Sequence, residues 1–270
     1  MNPGQASRIL ILGGHGFIGR NLQLQLEPRH ELHIFDRFKE SPKDCLQSFQ
    51  PDVIINCSAS TGKASFHDSL EANILFQTRF LDELSRGRNS KPRWIQLSSY
   101  FELQIPSGRS DNYSKHKALF RRLLESAEED SILSLVNLFL PHIVGPGEAT
   151  DRLFPTLFRE SKAGRNVSLS SGTQFVPVLA VWDCCEAIEM GISCSPGTYS
   201  AAPVWYGRLS ELIDIALPRL QGGTVNFDKE TKSIDADFPM VDFGLPMPNW
   251  KAQFDMVLLF DRLGKIYREN

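Results

Sequence analysis

The chain has 270 residues, 41% hydrophobic and 23% charged, with a formal net charge of −3. That is enough for one large globular unit or two closely joined ones. Scattered basic residues leave no electrostatic footprint for nucleic acid, and no apolar run approaches the roughly 20 residues that span a bilayer.

Met1–Ser7 is small and polar, without the apolar core of a signal peptide, so a cytoplasmic location is expected. Arg8–Leu12, "RILIL", is a short apolar run bounded by glycines and reads as a buried parallel strand. Phe17, Ile18, Leu22 and Leu26 then make a helical stripe. Strand-like runs follow at Glu31–Asp36 and Asp52–Cys57, and a long helical pattern at His67–Arg86. Arg93–Ser98 reads as a strand, "NYSKHKALFRRLLE" as a helix, and Ser131–Phe139 as a further strand. Strands alternating with helices predict an α/β fold, a parallel sheet covered on both faces. Past Pro141 the alternation weakens, with Pro146 and Pro155 breaking it. A parallel-sheet domain over residues 6–140 is expected. Residues 141–270 would form a smaller substrate-binding region, a lid over the carboxyl edge that partly returns to the first sheet. The five cysteines form no Cys-x-x-Cys pair and read as reduced, mostly buried thiols, and no metal-ligand constellation is evident.

The loop after the first strand, "GGHGFIG", spaces Gly13, Gly16 and Gly19 as a dinucleotide site requires. Glycine permits the tight turn and the approach of a pyrophosphate, and the following helix offers its N-terminal N–H groups. Asp36, closing the second strand, is placed to accept hydrogen bonds from the adenosine ribose and to repel a 2′-phosphate, which favours NAD. Arg37 beside it can instead clamp that phosphate, so NADP stays open. Asp36 is equally a residue type that simply ends a strand. Tyr113 and Lys117 stand one turn apart on one helix face. An ammonium beside a phenol lowers the phenol's pKa from about 10, which suits proton transfer near neutral pH.

The glycine loop, Ser99, Tyr113 and Lys117, in this order on this alternating chain, resemble the extended short-chain dehydrogenase/reductase family. The likeness is to its NAD-dependent epimerase/dehydratase group, which acts mainly on nucleotide sugars. The fold this implies is a Rossmann-type doubly wound parallel sheet with a smaller C-terminal substrate-binding region. "GGHGFIG" is similar to the family's cofactor fingerprint, which brings Phe17 and Ile18 to the cofactor with the glycines. "DVIINCSAS" is similar to its fourth-strand segment, placing Cys57, Ser58 and Ala59 along the cofactor. Asn73 matches an asparagine on the next helix. "LPHIVGPGE" is similar to the loop after the catalytic helix, placing Pro141 and His142 at the nicotinamide. A plain loop histidine fits His142 equally.

The resemblance implies that Tyr113 is the general acid/base, that Lys117 lowers its pKa and binds the nicotinamide ribose, and that Ser99 polarises the substrate carbonyl. Tyr100 would lie on the substrate side. Ser98 is expected to serve the strand end, and His116 to be solvated. The stretch from Ser99 to Tyr113 is shorter than usual in the family, which widens the substrate mouth. Tyr100 and Phe101 stand where the 4,6-dehydratases carry Asp-Glu, and Glu102 falls one position too late, so dehydration is not expected. Val176 and Phe139 replace arginines that often bind the diphosphate. Arg152, Arg165 and Arg208 are the candidates to take their place, or are ordinary surface charges. The expected activity is NAD(P)H-dependent 4-keto reduction of a nucleotide-linked deoxysugar, in deoxysugar or surface-polysaccharide synthesis. A 4-epimerase with retained NAD and a non-catalytic, nucleotide-binding regulatory subunit are the alternatives. The helices at "LEANILFQTRFLDEL" and "KALFRRLLESAEE" correspond to those that pair in the family's homodimers, or pack on their own sheet alone.

Overall fold

The computed structural model describes residues 6–60, 64–87, 91–231 and 240–269. Its elements in the first half are β1 (Arg8–Leu12), α1 (Phe17–Leu26), β2 (Glu31–Ile34), α2 (Pro42–Phe49), β3 (Val53–Asn56), α3 (Phe66–Leu70), α4 (Phe76–Ser85), β4 (Arg93–Ser99), α5 (Tyr100–Leu103), α6 (Asn112–Glu129) and β5 (Ser134–Leu140). The second half holds β6 (His142–Val144), α7 (Leu153–Lys162), β7 (Val167–Leu169), β8 (Phe175–Ala180), α8 (Val181–Met190), β9 (Gly197–Ser200), β10 (Trp205–Arg208), α9 (Leu209–Ala216), β11 (Val225–Phe227) and α10 (Met256–Glu269). Among the described residues, no helix is long and apolar enough to cross a membrane.

The chain divides into two compact units. The first is Met1–Leu140 with Cys185–Ala201 and Phe243–Trp250. Its sheet has six strands in the order β2-β1-β3-β4-β5-β9, and every pairing is parallel. The chain leaves β1 toward β2 and then runs the other way through β3, β4 and β5; with the right-handed crossovers that parallel strands take, this puts helices on both faces. This is the Rossmann-type α/β fold. The direction reverses between β1 and β3, and ligands of such sheets bind beyond the strand ends at that point. Ile9, Leu10, Ile11, Leu12, Val53, Ile54 and Ile55 are fully buried, as expected of strands covered on both faces. Phe120 and Leu124 of α6 pack with Trp94 of β4 in one core cluster.

Two details depart from the sequence reading. The segment that resembles the family's fourth strand is third here, because α2 alone links β2 to β3. Ser41 caps α2 by accepting the N–H of Asp44, and Pro42 opens it, a helix start the sequence reading passed over. The single helix expected over His67–Arg86 is interrupted by a π-helical turn, Glu71–Leu75, which carries Asn73.

The second unit is Pro141–Cys184, Ala202–Asp242 and Lys251–Asn270. It contains the sheets β10-β8-β6 and β11-β7, over a core that includes Phe154, Leu212, Ile213, Leu259 and Phe260.

Candidate active site

A cleft of about 390 Å³ opens beyond the carboxyl ends of β1, β2 and β3. Gly13 and Gly16 line it after β1, Asp36 and Arg37 after β2, and Cys57, Ser58 and Ala59 after β3. Gly13 lies at φ +76°, and a Cβ there would sit 2.6 Å from the Cα of Ser58. A Cβ on Gly19 would sit 2.5 Å from the Gly13 carbonyl oxygen. Both positions need glycine, and the loop is thereby pressed against both the start of α1 and the β3 end. Gly16 is the N-cap of α1 and no side chain caps it, so the first-turn N–H groups of Phe17, Ile18 and Gly19 have no intrahelical acceptor. That cradle fits a pyrophosphate. Phe17, Ile18 and Gly19 serve as helix backbone; the cleft lining does not include them.

The strand β2 ends at Ile34, so Asp36 stands in the turn beyond it. Its Oδ1 accepts the Phe38 N–H at 3.0 Å and its Oδ2 lies 3.2 Å from Lys39 Nζ. These bonds, the Phe38 N–H first, hold the carboxyl below its usual range. The Arg37 guanidinium lies 4.9 Å from the centre of the Phe38 ring. Phe38 and Phe76 also line the cleft, an apolar contribution suited to an adenine that the sequence reading missed. An aromatic in the polar run "DRFKE" was the available signal for Phe38, which is 85% exposed.

The floor of the cleft is held by buried amides. Gln96 accepts from Asn56 at 2.9 Å, Asn56 accepts from the Ser58 hydroxyl at 2.5 Å, and Gln77 donates to that hydroxyl at 2.8 Å. Asn73 is buried, and its amide both donates to and accepts from the Ser60 backbone at 3.1 Å. It is not in the cleft lining, so it acts on the loop after β3 through Ser60.

Ser99 ends β4 and caps α5. Its Oγ accepts the Phe101 N–H at 3.3 Å, and Glu102 returns the contact by accepting the Ser99 N–H at 2.8 Å. Ser98 instead donates to Asn137 at 2.6 Å, as its strand-end role requires. Asp111 caps α6 by accepting the Ser114 N–H at 2.9 Å, which sets the first turn carrying Tyr113. The Tyr113 ring stands edge-on to Phe101, with centroids 6.4 Å apart. Lys117 is buried and donates to the Leu97 carbonyl oxygen of β4. Burial lowers its pKa, and Glu102 and then Cys57 oppose that shift. Burial pushes the Cys57 thiol up to about 12, so at neutral pH it is an uncharged wall of the cleft.

His116 corrects the sequence reading. It is not solvated: it is 5% exposed and its Nδ1 pairs with the Ser69 hydroxyl at 2.9 Å. One turn of α6 thus ties the helix to α3, while Lys117 beside it reaches the sheet. Tyr100 is also buried, against Phe101 and Phe243. The expectation of no metal-ligand grouping needs amending too. The fold of β2 onto α2 brings ligand atoms of His33, Glu40 and Cys45 within 4.8 Å of one another, with His33 and Glu40 hydrogen-bonded at 2.7 Å.

In the second unit, His142 lies on β6, paired with β8, where a loop was expected. Its Nε2 is 3.7 Å from Glu148 Oε1. Arg152 is the N-cap of α7. Arg165 is bound to Glu160 at 2.5 Å. Arg208 lies 5.6 Å from the Phe175 ring centre. Val176 sits on β8 opposite Gly207.

Residues 9–194 match the profile of the NAD dependent epimerase/dehydratase family. Among solved structures, the UDP-N-acetylglucosamine 4-epimerase of Methanobrevibacter ruminantium M1, in complex with UDP-N-acetylmuramic acid, superposes with a TM-score of 0.82 at 16% identity, over 98% of this chain and 99% of that one. The Bordetella bronchiseptica enzyme WbmG, in complex with NAD and UDP, gives 0.80 at 19% identity, over 100% and 96%. RMD from Pseudomonas aeruginosa, complexed with NADPH, gives 0.76 at 16% identity, over 97% and 99%. At these identities the likeness is one of fold.

Proposed function

The chain belongs to the NAD dependent epimerase/dehydratase family, and from that premise we propose that it is a 4-ketoreductase of a nucleotide-linked deoxy-keto-sugar. The observation that carries this reading is the content of the stretch from Ser99 to Lys117: a hydroxyl donor, a phenol and a buried cation, with its one buried carboxylate already engaged. Both oxygens of Glu102 are used, one by the Ser99 N–H at 2.8 Å and the other by Arg121 at 3.3 Å. Glu102 is therefore already engaged, and the stretch lacks the Asp-Glu pair that the 4,6-dehydratases carry.

A nicotinamide dinucleotide would supply the hydride, and the cleft's glycine cradle, Asp36 and the Ser58 segment are the residues that would hold it. Ser99 Oγ accepts from Phe101, which leaves its own proton for the substrate oxygen. Tyr113 gives its proton to that oxygen as the carbonyl becomes an alcohol. Lys117, held at the β4 carbonyl, stabilises the phenolate left behind. Asp36 favours NAD(H) over NADP(H), since a 2′-phosphate beside this carboxylate is repelled. The nucleotide diphosphate would be met by Arg152 or Arg208, because Arg165 is already paired. Residues 141–270 would supply that substrate-binding region.

The test is to mix purified protein, NADH or NADPH, and a panel of nucleotide-linked 4-keto-deoxysugars. Stoichiometric oxidation of the cofactor with formation of the alcohol is expected. Interconversion of two sugar epimers with no net change in cofactor absorbance would replace the reductase with the epimerase. Cofactor binding without turnover of any sugar would point to a regulatory subunit.

A further inference from the structure

The turn that brings Asp36 and Phe38 to the cleft ends on Glu40, and there a strand, a turn and a helix bring three chemically distinct side chains together. His33 comes from β2. Its register partner is Leu10 of β1, which shares a core cluster with Cys45 and Phe49 of α2. The His33 ring lies against Phe49, centroids 5.1 Å apart, so it points to the face of the sheet that α2 covers. Glu40 is held by its N–H, which donates to the Asp36 carbonyl at 3.2 Å. Ser41 then caps α2, and its carbonyl accepts the Cys45 N–H at 3.0 Å. The cap therefore fixes Cys45 one turn into the helix, with Glu40 immediately before it.

The ligand atoms of these three residues all lie within 4.8 Å of one another. Two of them, His33 Nε2 and Glu40 Oε1, are 2.7 Å apart. Ligands of a tetrahedral zinc ion stand about 3.3–3.6 Å apart, from Zn–N and Zn–O bonds of about 2.0–2.2 Å and a Zn–S bond of about 2.3 Å. Seating the ion thus needs His33 and Glu40 to part by about 0.6 Å and the Cys45 sulfur to close by no more than about 1.2 Å. The donor set is selective. Magnesium and calcium take oxygen ligands, whereas thiolate with imidazole suits zinc. Cys45 is fully buried, while the side chains of His33 and Glu40 are 34% and 19% exposed. The sulfur would be the inner ligand, with the other two on the side that solvent reaches and water as the fourth.

We propose that His33, Glu40 and Cys45 form a zinc-binding site that ties β2, the turn after it and α2 together. On binding, the Cys45 thiol gives its proton to solvent, and the ion replaces the proton shared by His33 and Glu40. Affinity therefore falls as pH falls. The competing account is a hydrogen-bonded His33–Glu40 pair beside a thiol that only fills the core.

The test titrates Co2+ into tag-free protein stripped of metal by a chelator. Cobalt takes the same ligands and reports a thiolate ligand by a charge-transfer band in the near ultraviolet. One Co2+ per chain with that band is expected, displaced by Zn2+. C45A should lose the band. H33F, which keeps a ring against Phe49, and E40Q should each weaken Zn2+ binding by about tenfold or more in competition with a chromogenic chelator, because loss of even an outer partner of a metal ligand costs that much. No band in the wild type, or the same band in C45A, overturns the proposal. So does Zn2+ binding of equal strength in all four proteins, which would mean an adventitious ion only. Where C45A does not fold, the two partly exposed positions decide, and unchanged affinity in both H33F and E40Q overturns the site. Neither sugar nor dinucleotide enters the experiment, so its outcome is independent of the reductase reading.

Discussion

Replacing Gly13 with alanine tests whether the loop is shaped by its contact with the β3 end rather than by turn preference alone. Gly13 lies at φ +76°, and the added Cβ would be 2.6 Å from both the Cα and the N of Ser58. The left-handed conformation costs an alanine about 1–2 kcal/mol. The contact is with backbone, which must move rather than rotate away, and crowding of this kind costs about 1–3 kcal/mol more. Together these predict a fall in melting temperature of about 4–9 °C for a chain of this size. Gly164 is the control. It lies at φ +67° with nothing within 4 Å of its added Cβ, so Gly164→Ala carries only the conformational cost, about 2–4 °C. Ser58 is part of the cleft lining, so Gly13→Ala should also weaken NAD(H) binding about tenfold or more, measured by calorimetry, while Gly164→Ala leaves it unchanged. If Gly13→Ala were no more destabilising than Gly164→Ala and bound NAD(H) like wild type, the close approach of loop and strand end would be wrong.

Tyr113→Phe should keep fold and cofactor affinity but lower keto-sugar turnover by about 10²–10⁴-fold, since it removes the transferable proton; retention of more than about a tenth of the rate refutes the assignment. Asp36→Ala should shift relative affinity toward NADP(H) in titrations of both cofactors against both proteins, and no shift would move Asp36 away from the ribose. Glu148, buried with one oxygen unpartnered, is pushed up to about 8 by its burial. The folded state therefore holds a proton that the unfolded chain releases above about 4.3. That contribution is complete below about pH 4.3 and is lost as pH rises toward about 8, by up to about 1.4 kcal/mol per pH unit. Glu148→Gln should flatten the decline of melting temperature between pH 5 and 8, and parallel curves for the two proteins would refute the buried neutral carboxyl.

Local patterns made much of this protein legible. The strand β1 and the helix α1 have the bounds their apolar patterns give, Arg8–Leu12 and Phe17–Leu26, because burial on both strand faces and a 3.6-residue stripe are written in consecutive residues. The glycine loop was readable because only glycine tolerates the conformation at Gly13 and the contacts at Gly19. Tyr113 and Lys117 share one helix, so their spacing alone put them on one face.

What the tertiary structure decided lies between residues far apart in the chain. His116 looked like a solvated neighbour of Lys117, and only the packing of α6 on α3 turns it to Ser69. Phe76 gave no sign that a helix residue would join Asp36 and Ser58 around one cleft. The sequence reading expected part of residues 141–270 to return to the first sheet without saying which; Cys185–Ala201 and Phe243–Trp250 lie in the first unit, and β9 completes the six-stranded sheet by pairing with β5. Glu102 is the clearest case. In sequence it was a carboxylate out of register; folding places it between the end of β4 and a face of α6, where it accepts from the Ser99 N–H and from Arg121. Periodicity reports which face of an element is apolar, but it carries no information about which buried charge from another element will meet it.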